Sequence, residues 1–445
     1  MVERRDVHEA LDLALRVGEV QLSSGAGAAD VTSTMLALTH ACGVRNVAAD
    51  VTFVDLTLHY QPSTEEPGAI RVRRVNRRQV DYADLIEVDE TVSKLVAGDI
   101  SRAEARDQVA RITSTGHHRH HVTVTLGWGV MGLGIALTLG GSRAVCLLAF
   151  LAACAIDRTQ QVMHRRRIPS LYVQAAGGFV ATLIAVTASA TPLEVNPSRV
   201  ITSGIVMLLA GIGLMGATQD AITGFPVTAS ARLLDAMLDT AGIIAGVAAG
   251  LTFGDLIGVG LESFKPGAAG IAEAGVTVCG AALAAAGFAF ASYAPLRALV
   301  AVGLVGALGQ AVLLAVDRAE LGQAWGPAAA AITIGGVCYL TADRFRVPPL
   351  VVVVPAIVPL LPGLDIYRGL ALLAEGKDGV LPLASAIGTA LALAAGVILG
   401  QYIAQPLKRE AHRLETRLAG PRMVGVFRRS AVKGEKPVPR PEPEQ

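Results

Sequence analysis

Long apolar stretches dominate the chain from residue 122 to residue 404 and constrain its fold more than any other feature. A helix that crosses the hydrocarbon core of a bilayer needs roughly 20 mostly apolar residues. Stretches of about this kind alternate with short polar breaks, which predicts an α-helical polytopic membrane protein with about ten transmembrane helices. The predicted spans cover residues 122–140, 144–157, 170–190, 200–217, 233–254, 271–291, 297–316, 325–341, 347–363 and 380–404.

The composition agrees with this class of protein. Charged residues make up only 17% of the chain, whereas soluble domains usually carry about a quarter. Hydrophobic residues make up 52%, aromatic residues only 4%, and 48 glycines are present, so helix backbones can approach closely in lipid. The net charge of +1 leaves no basic surface for a nucleic acid. We therefore expect the lipid bilayer, and not a nucleic acid, as a partner, and a homo-oligomer is compatible with the sequence.

The distribution of polar residues divides the chain into four parts. Residues 1–116 mix polar and apolar positions as a soluble domain does, and residues 405–445 form a basic, Pro-rich tail that cannot bury a core. Between them lie two transmembrane halves, residues 117–262 and 263–404. The apolar periods of the first part predict a small α+β domain. Its predicted helices cover residues 6–23, 28–41, 82–97 and 101–113, and its predicted hairpin pairs residues 51–60 with 69–75.

Lysine and arginine are concentrated on one side of the predicted membrane. Arg158 and residues 165–167 lie in the break after the second span. Four further basic residues follow the tenth span, at Lys408, Arg409, Arg413 and Arg417. With ten spans, both groups lie on the same side as the two termini. Because cytoplasmic loops carry the excess of Lys and Arg, we expect both termini to be cytoplasmic.

The first irregular polar segment lies between the predicted fourth and fifth spans. Asp235 and Asp239 are four residues apart and share one helix face, with Arg232 one turn earlier. A cation beside carboxylates keeps them ionised, and its loss shifts their pKa, as a proton-coupled carrier requires. The alternative is that these charges only mark the interfacial end of the fifth span. The segment supplies the transport-pathway candidates Gly216, Asp220, Gly224 and Arg232, and the proton-coupling candidates Asp220, Asp235 and Asp239.

The second irregular segment contains five prolines between residues 347 and 362. Proline removes a backbone donor and clashes with the preceding turn, so this segment cannot form a regular helix. Non-helical backbone at membrane depth is tolerated where it lines a cavity, and its free groups can bind a charged substrate. The alternative is a re-entrant turn with a structural role. The pathway candidates are Pro359, Pro362, Gly363 and Tyr367, and Gln174 in the third span is a further candidate for a polar lining.

The two irregular segments follow the fourth and the ninth span, five spans apart. Two halves of five spans each have opposite orientations in the membrane. The pattern therefore predicts an inverted repeat whose site lies at the interface between the repeats.

The sequence contains no GxSxG, Walker A or HExxH pattern of the kind that catalysis or cofactor binding would use. The histidines between residues 117 and 121 have no Cys or acidic partner nearby and are typical of a wet cap at a helix mouth. We therefore expect no enzyme activity, no cofactor and no metal site.

Three groups of motifs resemble those of a known family, the bacterial threonine/serine exporters. The first lies in the N-terminal domain and comprises Arg16-Val-Gly18, Leu22, Ser24-Gly25-Ala26, Gly43 and Val51-Thr-Phe. The second is the stretch from Asp220 to Asp235, and the third is Pro359-Leu-Leu-Pro362-Gly363 with Tyr367. The likeness runs in order from about residue 8 to residue 404.

The resemblance implies a secondary transporter of the bacterial cytoplasmic membrane, with a soluble N-terminal domain and about ten spans. It implies export of small amino acids, L-threonine and L-serine, driven by the proton-motive force, so that an amino acid and protons are the implied partners. Docking of the N-terminal domain on the cytoplasmic face, with a gating or regulatory effect, is a hypothesis for the role of that domain.

Two alternatives stay open at the level of the sequence. Asp365 and Arg368 add charge around the Pro-Gly motif, which departs from the family pattern. Because related two-subunit proteins are associated with dicarboxylate export, a dicarboxylate exporter is the first alternative. The second belongs to another class: a membrane-anchored sensor or regulatory protein in which the spans only hold the N-terminal domain.

Overall fold

The computed structural model describes most of the chain up to residue 404. The described residues are 4–62, 66–75, 80–114, 119–191, 197–206, 208, 211–259, 273–319, 325–374 and 376–404. The predicted basic tail at residues 405–445 lies outside them.

The N-terminal domain packs four helices around a small antiparallel sheet of strand order β1-β2-β3. Leu56 and Leu58 of the central strand are fully buried, in one apolar cluster with Leu11 and Leu15 of the first helix. The elements are α1 (Arg4–Ser23), α2 (Ala28–Ala41), β1 (Val47–Val51), β2 (Asp55–Tyr60), β3 (Ala69–Arg74), α3 (Tyr82–Ala97) and α4 (Arg102–Ser114).

The predicted helices and the predicted hairpin of this domain are confirmed, and one strand was missed. The predicted strand at residues 51–60 is in fact the end of β1 and the whole of β2. Between them the chain turns, with the Thr52 N–H donating to the Asp55 carbonyl at 2.9 Å. β1 was missed because its residues, Val-Ala-Ala-Asp-Val, include few strong strand formers.

Twelve helices follow, and within the described residues eight are long and apolar enough to cross a membrane. These eight confirm the class of polytopic helical membrane protein. The helices are α5 (His121–Thr138), α6 (Arg143–Arg165), α7 (Ser170–Ser189), α8 (Pro197–Val206), α9 (Gly211–Ile222), α10 (Pro226–Leu256), α11 (Ala274–Ala291), α12 (Leu296–Arg318), α13 (Trp325–Phe345), α14 (Leu350–Ile357), α15 (Gly363–Ala374) and α16 (Val380–Ala404).

The predicted irregular backbone of the ninth segment is confirmed, whereas the fourth segment, predicted as a single span, is divided between two helices. The predicted fourth span falls on two short helices, α8 and α9, and the ninth falls on α14 and the start of α15. In the ninth, a 3₁₀ turn at Val358–Leu360 follows α14. Pro359 and Pro362 lack backbone donors there, so a single α-helix cannot continue through the segment.

The predicted break after residue 157 is also wrong. α6 continues to Arg165, and Asp157 is buried inside it. The Thr125 hydroxyl and the Gln161 amide donate to the Asp157 carboxylate at 2.6 and 2.7 Å. These donors let a carboxylate stay inside a helix bundle, where an unpaired one is costly.

Helices α5–α10 and helices α11–α16 form two sets that pack in the same pattern. α5 contacts α6 as α11 contacts α12, α7 contacts α10 as α13 contacts α16, and α9 contacts α10 as α15 contacts α16. α5 and α11 contact each other between the sets. With α8–α9 and α14–α15 each counted as one crossing segment, each set holds five, and an odd number of crossings gives the second set the opposite direction. This is the pattern that an inverted repeat produces, while the exact boundaries of the halves stay a prediction.

Glycines allow the closest of these helix contacts. A Cβ atom added to Gly246 in α10 would lie 1.9 Å from the Ala175 carbonyl oxygen of α7. The backbone of α7 therefore occupies the space that any side chain at residue 246 would need. Gly388 in α16 offers the opposite case, because an added Cβ would meet no atom within 4 Å.

We expect Gly246→Ala to separate α7 from α10 and to lower the midpoint of thermal unfolding in detergent. Overpacking of this kind costs about 1–3 kcal/mol. Gly388→Ala is the matched control and should leave the midpoint unchanged or raise it slightly, since alanine favours a helix. Equal midpoints for the two variants would contradict the close packing of α7 on α10.

Candidate functional site

A buried ion pair joins the two helices of the first irregular segment. Asp220 lies near the end of α9 and Arg232 in the first turns of α10, with 3.1 Å between Arg232 Nε and Asp220 Oδ2. The Asp220 side chain is 0% exposed and the Arg232 side chain 8%. Two opposite charges removed from water in this way are stable only when they are paired and hydrogen-bonded.

The local sequence explains how the pair forms. Gly224 adopts a φ of +92° directly after α9, a conformation that favours glycine, and Pro226 begins α10. This tight turn returns the chain so that Arg232 reaches α9. A Cβ atom added to Gly216 would lie 2.6 Å from Arg232 Nη1. Gly216 therefore provides the space in which the guanidinium lies against α9.

The same ion pair binds the N-terminal domain. The Ala28 N–H donates to Asp220 Oδ1 at 2.9 Å, and Arg232 Nη2 donates to the Ala26 carbonyl oxygen at 3.0 Å. Ala26 and Ala28 lie where α1 ends and α2 begins. We call Asp220, Arg232 and residues 26–28 the interdomain latch.

Further contacts surround the interdomain latch. The Thr228 hydroxyl donates to the Val51 carbonyl oxygen at 3.0 Å in a buried position. Met215 of α9 belongs to the same cluster of buried apolar side chains as Leu22 and Met35 of the N-terminal domain. The domain is therefore held on α9 and α10 by charge, by hydrogen bonds and by apolar packing together.

A second contact holds the N-terminal domain on the other half. The Tyr82 N–H donates to the Ser292 carbonyl oxygen at 2.9 Å, between α11 and α12. The Tyr82 ring meets the Phe288 ring edge-on, with 6.5 Å between centroids. Burial raises the pKa of the Tyr82 hydroxyl above its ordinary value, so the ring stays neutral. The two turns at residues 223–225 and 292–295 define what we call the docking face of the bundle.

The predicted association of Arg232 with the carboxylates that follow it is not what the structure shows. Arg232 contacts Asp220 instead, and Asp235 is exposed. Asp239 is half-buried and accepts a hydrogen bond from the Ser170 hydroxyl of α7. Gln174, one turn further along α7, lies near the same carboxylate, with its Cβ against Gly242 of α10. The structure therefore brings Gln174 and Asp239 together, which the sequence did not predict.

The second irregular segment lies against the first half. Pro359 and Pro362 flank the break, and Gly363 begins α15. Tyr367 is only 1% exposed and shares a buried apolar cluster with residues of the first half such as Ile243. Its ring thus joins the two halves.

The two irregular segments meet at the boundary between the halves. α9 contacts α16 of the second half, and α15 contacts α10 of the first. Leu214 of α9 and Ile366 of α15 lie in one buried cluster with Ala386 and Ala390 of α16. Each interrupted segment therefore supports the fifth helix of the opposite half.

Within the described residues, no group of three His, Cys, Asp or Glu side chains could hold a metal ion. Two of the histidines considered above, His117 and His118, lie outside those residues. His120 caps α5, because its Nδ1 accepts from the Val122 N–H at 3.3 Å.

Comparison with known proteins identifies the family. A family model described as "Putative threonine/serine exporter" matches residues 12–254, and a second one, "Threonine/Serine exporter", matches residues 277–403. The chain is 34% identical to a "Probable threonine/serine exporter" of Mycobacterium tuberculosis, over 97% of this chain and 85% of that protein. It is also 34% identical to a "Threonine/serine exporter" of Corynebacterium glutamicum, over 92% of this chain and 85% of that protein.

The chain belongs to the threonine/serine exporter family. It is therefore a multi-pass membrane protein of a transporter family, and these relatives give no support to the dicarboxylate or sensor alternatives. No solved structure matches the chain. The two family matches are separated by residues 255–276, which run from the end of α10 to the start of α11.

We expect Arg232→Gln to release the N-terminal domain from the docking face. Removing one partner leaves a buried charge unpaired, which costs about 3–5 kcal/mol. Hydrogen exchange at the Ala28 amide should then accelerate strongly, because Asp220 no longer holds a fixed position. The double variant Asp220→Asn with Arg232→Gln leaves no buried charge and should recover part of the lost stability.

Asp235→Asn is the matched control for this experiment, because Asp235 is exposed on the same helix. It should leave the protection of Ala28 unchanged. Normal protection of Ala28 in the Arg232→Gln variant would show that the interdomain latch does not hold the domain.

Proposed function

We propose that this exporter moves L-threonine and L-serine out of the bacterial cytoplasm along the boundary between its two halves, driven by the proton-motive force. The observation that carries the proposal is the pair of interrupted segments, α8–α9 and α14–α15, in corresponding places of the two halves. In secondary transporters, substrates bind near the bilayer midplane at interrupted helices, where free backbone groups face the pathway. The names of the relatives support the choice of substrates.

We infer that the docking face is cytoplasmic and that the membrane is the cytoplasmic one. α6 ends on that face with Arg165, and α13 ends there with Arg344. Arg297 also lies there and donates to the Phe345 carbonyl oxygen at 3.1 Å. A concentration of arginine on one face supports a cytoplasmic orientation. The N-terminal domain is then cytoplasmic, beside the entrance for substrate.

Of the three carboxylates predicted to carry protons, we favour Asp239. Asp220 is paired with Arg232, so its charge is already balanced, and Asp235 is exposed. Asp239 is half-buried and accepts a hydrogen bond from the hydroxyl of Ser170, a neutral donor. A carboxylate with neutral partners can gain and lose a proton without leaving an arginine unpaired.

Efflux from proteoliposomes tests the proposal directly. The purified full-length protein is reconstituted, the vesicles are loaded with labelled threonine, serine or succinate, and a pH gradient is imposed. We expect threonine and serine to leave in a gradient-dependent way and succinate to be retained. Gradient-driven succinate release without threonine release would contradict the substrate, and release that ignores the gradient would contradict the coupling.

In the same assay we expect Asp239→Asn to reduce gradient-driven threonine efflux by about a hundredfold or more, as the loss of a positioned proton-transfer group does. Exchange of labelled against unlabelled threonine without a gradient should survive. Asp255→Asn is the matched control, because Asp255 is exposed at the other end of α10. Unchanged gradient-driven efflux in Asp239→Asn would remove Asp239 from the coupling mechanism.

A further inference from the structure

α15 carries an ion pair directly after the break in the second half. Arg368 Nη1 lies 3.4 Å from Asp365 Oδ1, one helical turn away. The hydroxyl of Ser385, in α16, donates to Asp365 Oδ2 at 3.3 Å. The side chains of Asp365 and Arg368 are 30% and 36% exposed. A carboxylate, a guanidinium and a hydroxyl group thus lie together between α15 and α16.

The position of Asp365 and Arg368 along α15 decides what their exposed parts can face. At a rise of about 1.5 Å per residue, Asp365 lies roughly 13 Å from the end of α15 at Ala374, and Arg368 roughly 9 Å. The segment from α14 to the break separates both residues from the docking face. Charged side chains at membrane depth avoid lipid and face the bundle interior or a water-filled cavity. We therefore expect the exposed parts of Asp365 and Arg368 to face an aqueous space between helices and not lipid.

Packing fixes this part of α15 against the other half. Ile366, between the two charged residues, lies in one buried apolar cluster with Leu214 of α9. Tyr367, also between them, packs with Ile243 of α10. Asp365 and Arg368 are therefore held at the boundary between the halves, where the proposed function puts the pathway.

We propose that Asp365 binds the ammonium group and Arg368 the carboxylate group of the transported amino acid, with Ser385 positioning Asp365. This inference rests on the proposed function, and it names the residues that recognise the substrate. A zwitterionic amino acid carries both charges a few bonds apart, so it matches a carboxylate and a guanidinium that are one helical turn apart. A half-exposed pair is a weak interaction, so the substrate can replace it with two charge-assisted contacts.

The competing account is that Asp365 and Arg368 form only a stabilising pair along α15. The two accounts differ in what they predict for substrate analogues that carry one charge. Threoninamide keeps the ammonium group and lacks the carboxylate, while 3-hydroxybutyrate keeps the carboxylate and lacks the ammonium group. A purely structural pair would not distinguish these compounds.

Equilibrium binding to the purified full-length protein, without a gradient, tests the site. We expect Arg368→Gln to weaken threonine binding about tenfold or more, as the loss of a hydrogen bond to a charged group does, and to leave threoninamide binding unchanged. Asp365→Asn should weaken the binding of both compounds. Asp378→Asn is the control, because Asp378 is exposed in the loop before α16 and an Asn can also cap Val380.

Each outcome decides between the accounts. If the Arg368→Gln variant kept the wild-type ratio of threonine affinity to threoninamide affinity, the proposed site would be overturned. If the wild-type protein bound neither threonine nor serine, the proposed function would be overturned instead. If Arg368→Gln does not fold, Arg368→Lys keeps the charge. It should bind threonine more weakly than the wild type and still prefer it to threoninamide; the loss of that preference without loss of threonine affinity would overturn the site.

Discussion

The ion pair between Asp220 and Arg232 is the interaction on which the arrangement of this exporter depends. It closes the turn between α9 and α10, and both of its charges also bind backbone atoms at Ala26 and Ala28. One buried pair therefore fixes α9, the start of α10 and the N-terminal domain. Because a buried charge is tolerated only with its partners in place, these three parts must form together.

This dependence gives the N-terminal domain a physical connection to α9, which borders the proposed pathway. α9 is bound by the domain at one end and packs on α16 through Leu214 along its length. A movement of α9 between two arrangements would change the contacts of the domain, and a movement of the domain would change those of α9. The coupling needs no additional ligand, since the same residues serve both contacts.

The sequence predicted the class of fold, most helices and the two irregular segments, because apolar length and proline chemistry are local properties. It could not predict the partner of Arg232. Asp235 is near Arg232 in sequence, but Asp220 is near it in space. Its backbone acceptor, the Ala26 carbonyl oxygen, cannot be identified from the sequence, because every residue has such an oxygen. Gln174 was predicted as a polar lining from the residues around it in the sequence, while its position near Asp239 depends on how α7 packs against α10.

The proposed export requires the two halves to move relative to each other near the buried cluster that Leu214 of α9 shares with Ile366 of α15. A cross-link between Leu214→Cys and Ile366→Cys, in a variant whose five native cysteines are replaced, tests it most directly. Threonine efflux is measured from proteoliposomes before oxidation, after oxidation and after reduction. We expect oxidation to stop efflux and reduction to restore it. Full efflux with the cross-link demonstrably formed would contradict the claim.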